Sequence, residues 1–181
     1  RRYEYLEFWR EEKDAEMLKW GEKLYRRLLY YANEQDPDVQ LIKYGLTFCY
    51  SRNQQDDRAI ELCIELLLIK EWILGPKWER LTRLLAGIYT EQKQYHSAIA
   101  LYRQLKGIPN FPRHSDDLDN YRDLIDCYHR TKQYHECSVE GDELRHYVLK
   151  WDLWLDDIHM YYETYEKLEE AYLQEKQYNS Y

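Results

Sequence analysis

Leu85-Ala86-Gly87-Ile88-Tyr89-Thr90-Glu91-Gln92-Lys93-Gln94-Tyr95-His96-Ser97-Ala98-Ile99-Ala100-Leu101-Tyr102 is the stretch from which the fold is read. Its first part continues an apolar series at Leu81, Leu84, Leu85, Ile88 and Tyr89, spaced by three and four, which is the stripe of a helix facing a core. After Lys93-Gln94-Tyr95 a small residue, Ala98, opens a second such series. The tyrosine that closes the first helix therefore stands nine residues before the small residue of the second.

The same arrangement recurs outward from this block. Tyr50, Tyr89 and Tyr128 are 39 residues apart, and Tyr172 follows after 44. Nine residues beyond the first three tyrosines stand Ala59, Ala98 and Cys137, and Leu66, Leu105 and Leu144 extend the register. Lys-Gln-Tyr itself occurs at 93–95, 132–134 and 176–178. Columns that stay in phase over this distance are the mark of a repeat architecture. A small residue lets two helices approach closely, and a tyrosine ring fills the seam between them. The helix breakers are few and clustered, at Pro37, at Gly75-Pro76 and from Gly107 to Pro112, and no segment alternates with a period of two. The reading is all-α.

These blocks resemble the tetratricopeptide repeat (TPR). The middle block carries Leu85, Ala86 and Tyr89 in its first helix, and Ala98 and Tyr102 in its second. The block before it offers Leu46, Tyr50 and Ala59 but has Cys63 where an aromatic belongs. The block after keeps Leu124 and Tyr128 and departs at Cys137 and Gly141, and the last keeps Leu168 and Tyr172. No tryptophan stands early in the first helices, and the period exceeds the usual 34. The resemblance implies an α-α superhelix, a TPR-like solenoid of antiparallel helix pairs. Residues 1–38 form an N-terminal helical segment with Leu18, Gly21, Tyr25, Leu28 and Ala32 on its buried stripe. Repeats follow at about 39–76, 77–114, 115–157 and, incomplete, 158–181. Because Tyr181 falls where a further helix is expected, the row Tyr161, Tyr165, Leu168 and Tyr172 is expected to be partly exposed, as a homodimer contact through the C-terminal helix or a seat for another domain. With Arg1 in place of a methionine, the chain reads as a piece of a longer protein.

The 181 residues carry 26 basic and 34 acidic side chains, a net charge of -8. Residues 139–181 hold 4 of the basic and 11 of the acidic ones. A neutral front and an acidic rear give no footprint for DNA or RNA, so no direct nucleic-acid contact is expected. The most apolar stretch, Leu62 to Leu74, is interrupted by Glu65, Lys70 and Glu71, which excludes a spanning helix there. No secretion signal opens the chain, and Cys49, Cys63, Cys127 and Cys137 read as reduced, buried thiols in a cytoplasmic protein.

Cys127, His129, His135 and Cys137 are zinc-ligating residue types within eleven positions. Yet Cys137 occupies the column of Ala59 and Ala98, His135 has a counterpart in His96, and Cys127 and His129 point about 200° apart on a helix. No metal and no cofactor are expected. The serines lie in no nucleophile elbow and the six glycines form no phosphate loop. The pair Asp56-Asp57 precedes a helix, where carboxylates cap free amides and favour the dipole. The chain is not read as an enzyme. Trp151 and Trp154 suit either packing between repeats or a contact surface.

The resemblance places Tyr44 and Phe48, then Arg80 and Arg83, then Arg122, Asp126 and His129 on a concave face formed by the first helices. Glu163, Glu166 and Glu170 follow. The arginines suit a carboxylate and the aromatics an apolar side chain, so the expected partner is a protein or an extended peptide. The alternative for these charges is a solvated face or mutual pairing across neighbouring first helices. Long-period repeats of this kind are also similar to the peptide-sensing or dimerising halves of bacterial transcription regulators, and the competing reading is a scaffold segment of a larger complex.

Overall fold

The computed structural model describes residues 2–109, 111, 117–150 and 158–178, with side chains for 13–109, 111, 117–150 and 162–176. Trp151, Trp154 and the Tyr161 side chain lie outside the described residues. The described chain is helical throughout, with α1 (Arg2–Leu29), α2 (Pro37–Arg52), α3 (Asp56–Leu67), a 3-10 turn (Lys70–Trp72), α4 (Pro76–Glu91), α5 (Tyr95–Lys106), α6 (Leu118–Arg130), α7 (Tyr134–Lys150) and α8 (Ile158–Tyr178). It divides into two compact units, Arg1–Ile88 and Tyr89–Tyr181.

In the first unit α1 packs on α2 and α2 on α3. Asp36 caps α2, its carboxylate accepting the Asp38 amide at 2.9 Å, and Pro37 takes the first helical position, where its missing N–H costs nothing. The α1–α2 crossing is close because Gly21 has no side chain: a Cβ there would lie 2.8 Å from Leu46 Cδ2. Tyr50 Oη donates to Glu22 at 2.9 Å and Asn53 Nδ2 to the Asp14 carbonyl at 3.2 Å, tying the end of α2 to α1. Lys43, buried on α2, bonds Glu65 of α3 at 2.6 Å and Glu34 of the α1–α2 loop. Burial works against its ammonium, but the two carboxylates outweigh that and raise its pKa above the ordinary value. Asp56 and Asp57 do lie in the first turn of α3, but the cap residue is Gln55 and makes no side-chain bond, so the dipole accounts for them and capping does not.

In the second unit α5 packs on α6, α6 on α7, and α8 lies against both α6 and α7. The core holds Leu105, Tyr121, Leu124, Ile125, Tyr128, Cys137 and Leu144. Lys106 of α5 reaches α7, bonding Glu140 at 2.5 Å and Glu143 at 2.9 Å, with its ammonium 4.9 Å from the centre of the Tyr121 ring. Leu168, expected to be partly exposed, is buried instead, because α8 packs it over Gly141 of α7. Tyr165 and Tyr172 of the same row do stay partly exposed.

The sequence columns are the packing columns. Ala59, Ala98 and Cys137 are fully buried, and so are Leu66, Leu105 and Leu144, each leucine worth about 1.5–3 kcal/mol of removed apolar surface. Tyr128 is fully buried, whereas Tyr50 and Tyr89 are half-buried.

The turn after each tyrosine is one geometry used three times. Gln54, Lys93 and Lys132 sit at φ 57°, 61° and 59°, in the left-handed region. The next amide, of Gln55, Gln94 or Gln133, donates to the carbonyl of Tyr50, Tyr89 or Tyr128 at 2.8–2.9 Å. A second bond joins the left-handed residue to the carbonyl three positions back. That is the Schellman termination, here without the glycine that usually relieves it. The third Lys-Gln-Tyr, at 176–178, stays inside α8. The tripeptide therefore does not make the turn by itself. Because a side chain in this region costs about 1–2 kcal/mol and glycine returns part of that as chain entropy, Lys93→Gly and Lys132→Gly are each expected to stabilise the fold by about 0.5–1 kcal/mol. Urea melts check this, and unchanged or lowered stability counts against strain at these turns.

Candidate functional site

Two groups of candidate residues belong to the first unit. Tyr44 and Phe48 are one turn apart on α2, half-buried, with ring centroids 5.1 Å apart and edge-to-face. Trp72, from the 3-10 turn, adds a third ring at 5.7 Å from Tyr44, nearly perpendicular to it. Lys77, in the first turn of α4, places its ammonium 4.4 Å from the Trp72 ring centre. Arg80 follows Lys77 by three positions and Arg83 by six, so the cations ascend one side of α4. Arg83 is engaged by Glu79 at 3.8 Å, while the exposed Arg80 has no carboxylate within ion-pair distance among the described residues.

Trp72 and Lys77 were not among the residues picked from sequence. Trp72 lies in no periodic stripe, and a tryptophan between Ile69 and Gly75 reads as part of a linker. The usable signal was its spacing to Lys77, which matters only once the 3-10 turn sets Trp72 against Tyr44 of α2.

The remaining candidates belong to the second unit and lie on α6. Arg122 is held by Asp119 at 3.1 Å and Asp123 at 3.4 Å. Asp126 bonds Lys167 of α8 and, at 3.1 Å, Arg130 of its own helix. Burial opposes its charge, yet these two cations hold its carboxyl below the usual range. His129 Nε2 meets Glu170 of α8 at 2.9 Å. His135 on α7 makes a like bond to Glu175 at 2.8 Å, and that carboxylate raises the imidazole pKa above its ordinary value. Asp126 and His129 thus fasten α8 onto α6.

Cys49, Cys63, Cys127 and Cys137 are free, and burial pushes the last three up to about 12, 11 and 12, respectively, which keeps them protonated. Cys49 is half-buried, so the expected burial holds for three of the four. Among the described residues no group of three or more His, Cys, Asp or Glu side chains is placed to hold a metal ion, and no helix is long and apolar enough to cross a membrane.

Helix pairs joined by one recurrent turn and packed through small-residue and leucine columns invite comparison with solved repeat proteins. No protein-family model matches the chain, and neither does any curated protein. Two crystal structures of a candidate kinesin light chain from Podosopora anserina, with nearly identical TPR-like repeats, superpose with a TM-score of 0.69 at 18% identity, covering 93% of this chain and 82% of that one. The fold is that of the TPR-like repeats. BtubC (BKLC) from P. vanneervenii gives a TM-score of 0.63 at 18% identity over 86% of this chain and 65% of the other. In this TPR-like chain Tyr44 and Phe48 of α2, Trp72 of the 3-10 turn and Lys77 of α4 form one chain of ring and cation contacts, and Arg80 stands exposed three positions beyond Lys77.

Proposed function

We propose that the chain is a non-catalytic protein-interaction module that binds an extended peptide on the α2–α4 patch of its first unit. The observation that carries this is the half-exposed edge-to-face cluster of Tyr44, Phe48 and Trp72 beside Lys77, with the exposed Arg80 one turn further along α4. Three rings of that kind offer an apolar side chain a rigid seat, and the cations offer a carboxylate a charge-assisted bond. The peptide chemistry that fits is therefore an acidic residue close to a large apolar one. Arg122, Asp126 and His129 contribute less in this reading, since their charges are spent within the second unit. The output of such binding, as the peptide-sensing half of a transcription regulator, remains part of the proposal.

The test is an array of immobilised peptides combining Asp or Glu with Leu or Phe, probed with the chain and with Arg80→Glu and Tyr44→Ala variants. Binding to acidic–apolar peptides is expected to fall about tenfold or more in each variant, as for truncated anchor residues. Retention of full binding by both variants would move the site elsewhere, and no binding to any acidic–apolar peptide would reject the reading.

A further inference from the structure

α1 has two sides of different character. The side toward α2 carries Leu18, which is buried, Gly21, which lies against Leu46, and Tyr25, whose ring centre is 5.9 Å from the Lys43 ammonium. Another side carries Met17, Trp20 and Leu24, all exposed, at the three- and four-residue steps that align side chains along a helix. They form one apolar stripe about 10 Å long. Trp20, at its centre, is 61% exposed. Lone exposed hydrophobic residues are ordinary, whereas a contiguous row built on tryptophan and methionine has the composition of an interface core.

Cations run beside the stripe. Lys13, Lys19, Lys23 and Arg27 are exposed and have no ion-pair partner among the described residues. Lys19, Lys23 and Arg26 line, with Trp20 and Glu22, an open depression of about 440 Å³, and the Lys23 ammonium lies 4.9 Å from the Trp20 ring centre. The carboxylates of residues 13–27 do not neutralise this side. Asp14 is engaged by Arg52 at 3.6 Å. Glu22 accepts from Tyr50 at 2.9 Å and meets Arg58 at 3.4 Å and Arg26 at 3.6 Å, which leaves Glu16 as the exposed carboxylate of the stretch. The chain as a whole has a net charge of -8, so this side reverses its sign.

We propose that this side of α1 binds an amphipathic helix of a partner protein, apolar along one face and edged with Asp and Glu. Trp20, flanked by Met17 and Leu24, packs against the partner's apolar row, and Lys19, Lys23 and Arg27 meet its carboxylates. A helix suits the site because the stripe follows the α1 axis, and a second helix with apolar residues at the same spacing lays a matching row along it, as in a coiled-coil seam with charges at its edges. The α1 stripe of a second copy in the same seat would set cations against cations, which is costly. The α1 residues are not those of the α2–α4 patch, and the proposal does not rest on the peptide binding assigned there.

Calorimetric titration of the whole chain with a helical peptide of about three heptads, Leu at a and d and Glu at e and g, tests this; the glutamates keep the peptide from pairing with itself. Binding is expected, and it should weaken with added salt as the facing charges are screened. The same peptide with Lys in place of each Glu should not bind. Trp20→Ala is expected to raise the dissociation constant about tenfold or more, as for an interface anchor, and Lys19→Glu/Lys23→Glu about tenfold. Both alter exposed positions, so both should keep the wild-type helical circular dichroism; should Trp20→Ala lose it, the double reversal carries the test. Arg80→Glu and Tyr44→Ala are expected to leave this binding unchanged, so the two sites fail separately. No binding at millimolar acidic peptide overturns the proposal, and so does binding that Lys19→Glu/Lys23→Glu retains in full. Without peptide binding, two other results also overturn it by giving the stripe to a different occupant. One is cosedimentation with vesicles of equal parts phosphatidylserine and phosphatidylcholine that Trp20→Ala abolishes, and the other is self-association that Trp20→Ala abolishes.

Discussion

Tyr128→Ala is expected to destabilise the chain by about 3–5 kcal/mol, the cost of deleting a fully buried ring and leaving a cavity, whereas Tyr128→Phe should stay within about 1 kcal/mol of wild type. The difference follows from where the ring sits. It lies in the column that defines the repeat, between the turn at Lys132 and the guanidinium of Arg103, whose centre is 5.6 Å from the ring centre. Its hydroxyl is buried and makes no well-formed hydrogen bond within the described structure, so removing the oxygen costs little. Burial also raises the phenol pKa and keeps the ring neutral. Thermal or urea melts of the two variants measure the contrast directly. If alanine cost under 1 kcal/mol, the tyrosine column would not be a packing column. If phenylalanine cost as much as alanine, the hydroxyl would be paired after all.

Gly141→Val is the other large effect expected, a loss of about 1–3 kcal/mol, because overpacking at this position outweighs the small gain in helix propensity that valine has over glycine. A Cβ at this position would lie 2.3 Å from Leu168 Cδ2 and 2.8 Å from Cδ1, well inside contact distance. Leu168 is itself buried, but it and Gly141 also line an open groove between α7 and α8, so part of the clash is relieved by the leucine turning toward that space. Gly141→Ala is the sharper probe: helix propensity favours alanine by about 1 kcal/mol, so net destabilisation would show the contact overriding it. Combined with Leu168→Ala, the alanine at 141 should cost less than it does alone, since the two residues compete for one space and their effects cannot add. Additive losses would mean that α8 does not rest on α7 at this point.

The fold was largely legible, and for a physical reason. Ala59, Ala98, Cys137 and the leucines seven residues after each recur because every helix pair meets the same packing problem, and repetition makes a weak signal readable three times. Gly141 shows the limit. In the sequence it was a departure from the expected pattern, and its purpose appears only when Leu168 is found against it. The candidate site was legible in part. Tyr44 and Phe48 lie together as their spacing required, but Trp72 and Lys77 join them through an irregular turn that carries no period. Arg122, Asp126 and His129 were read as surface charges for a ligand. Their neighbours Asp119 and Asp123 are adjacent in sequence and foreshadowed the pairing, whereas Lys167 and Glu170 are some forty residues away, and only the return of α8 brings them in.

Lys106 bears on how the second unit comes apart. Arrays of helix pairs exchange contacts only with their neighbours and so tend to fray one hairpin at a time. A lysine stem lying on the Tyr121 ring, with its charge held between Glu140 and Glu143, is a strap from α5 across to α7. Opening either helix strands the buried Glu140 carboxylate or the half-buried Lys106 ammonium, so the two are coupled in breaking as they are in packing. The unit is thereby biased to melt as a single cooperative block.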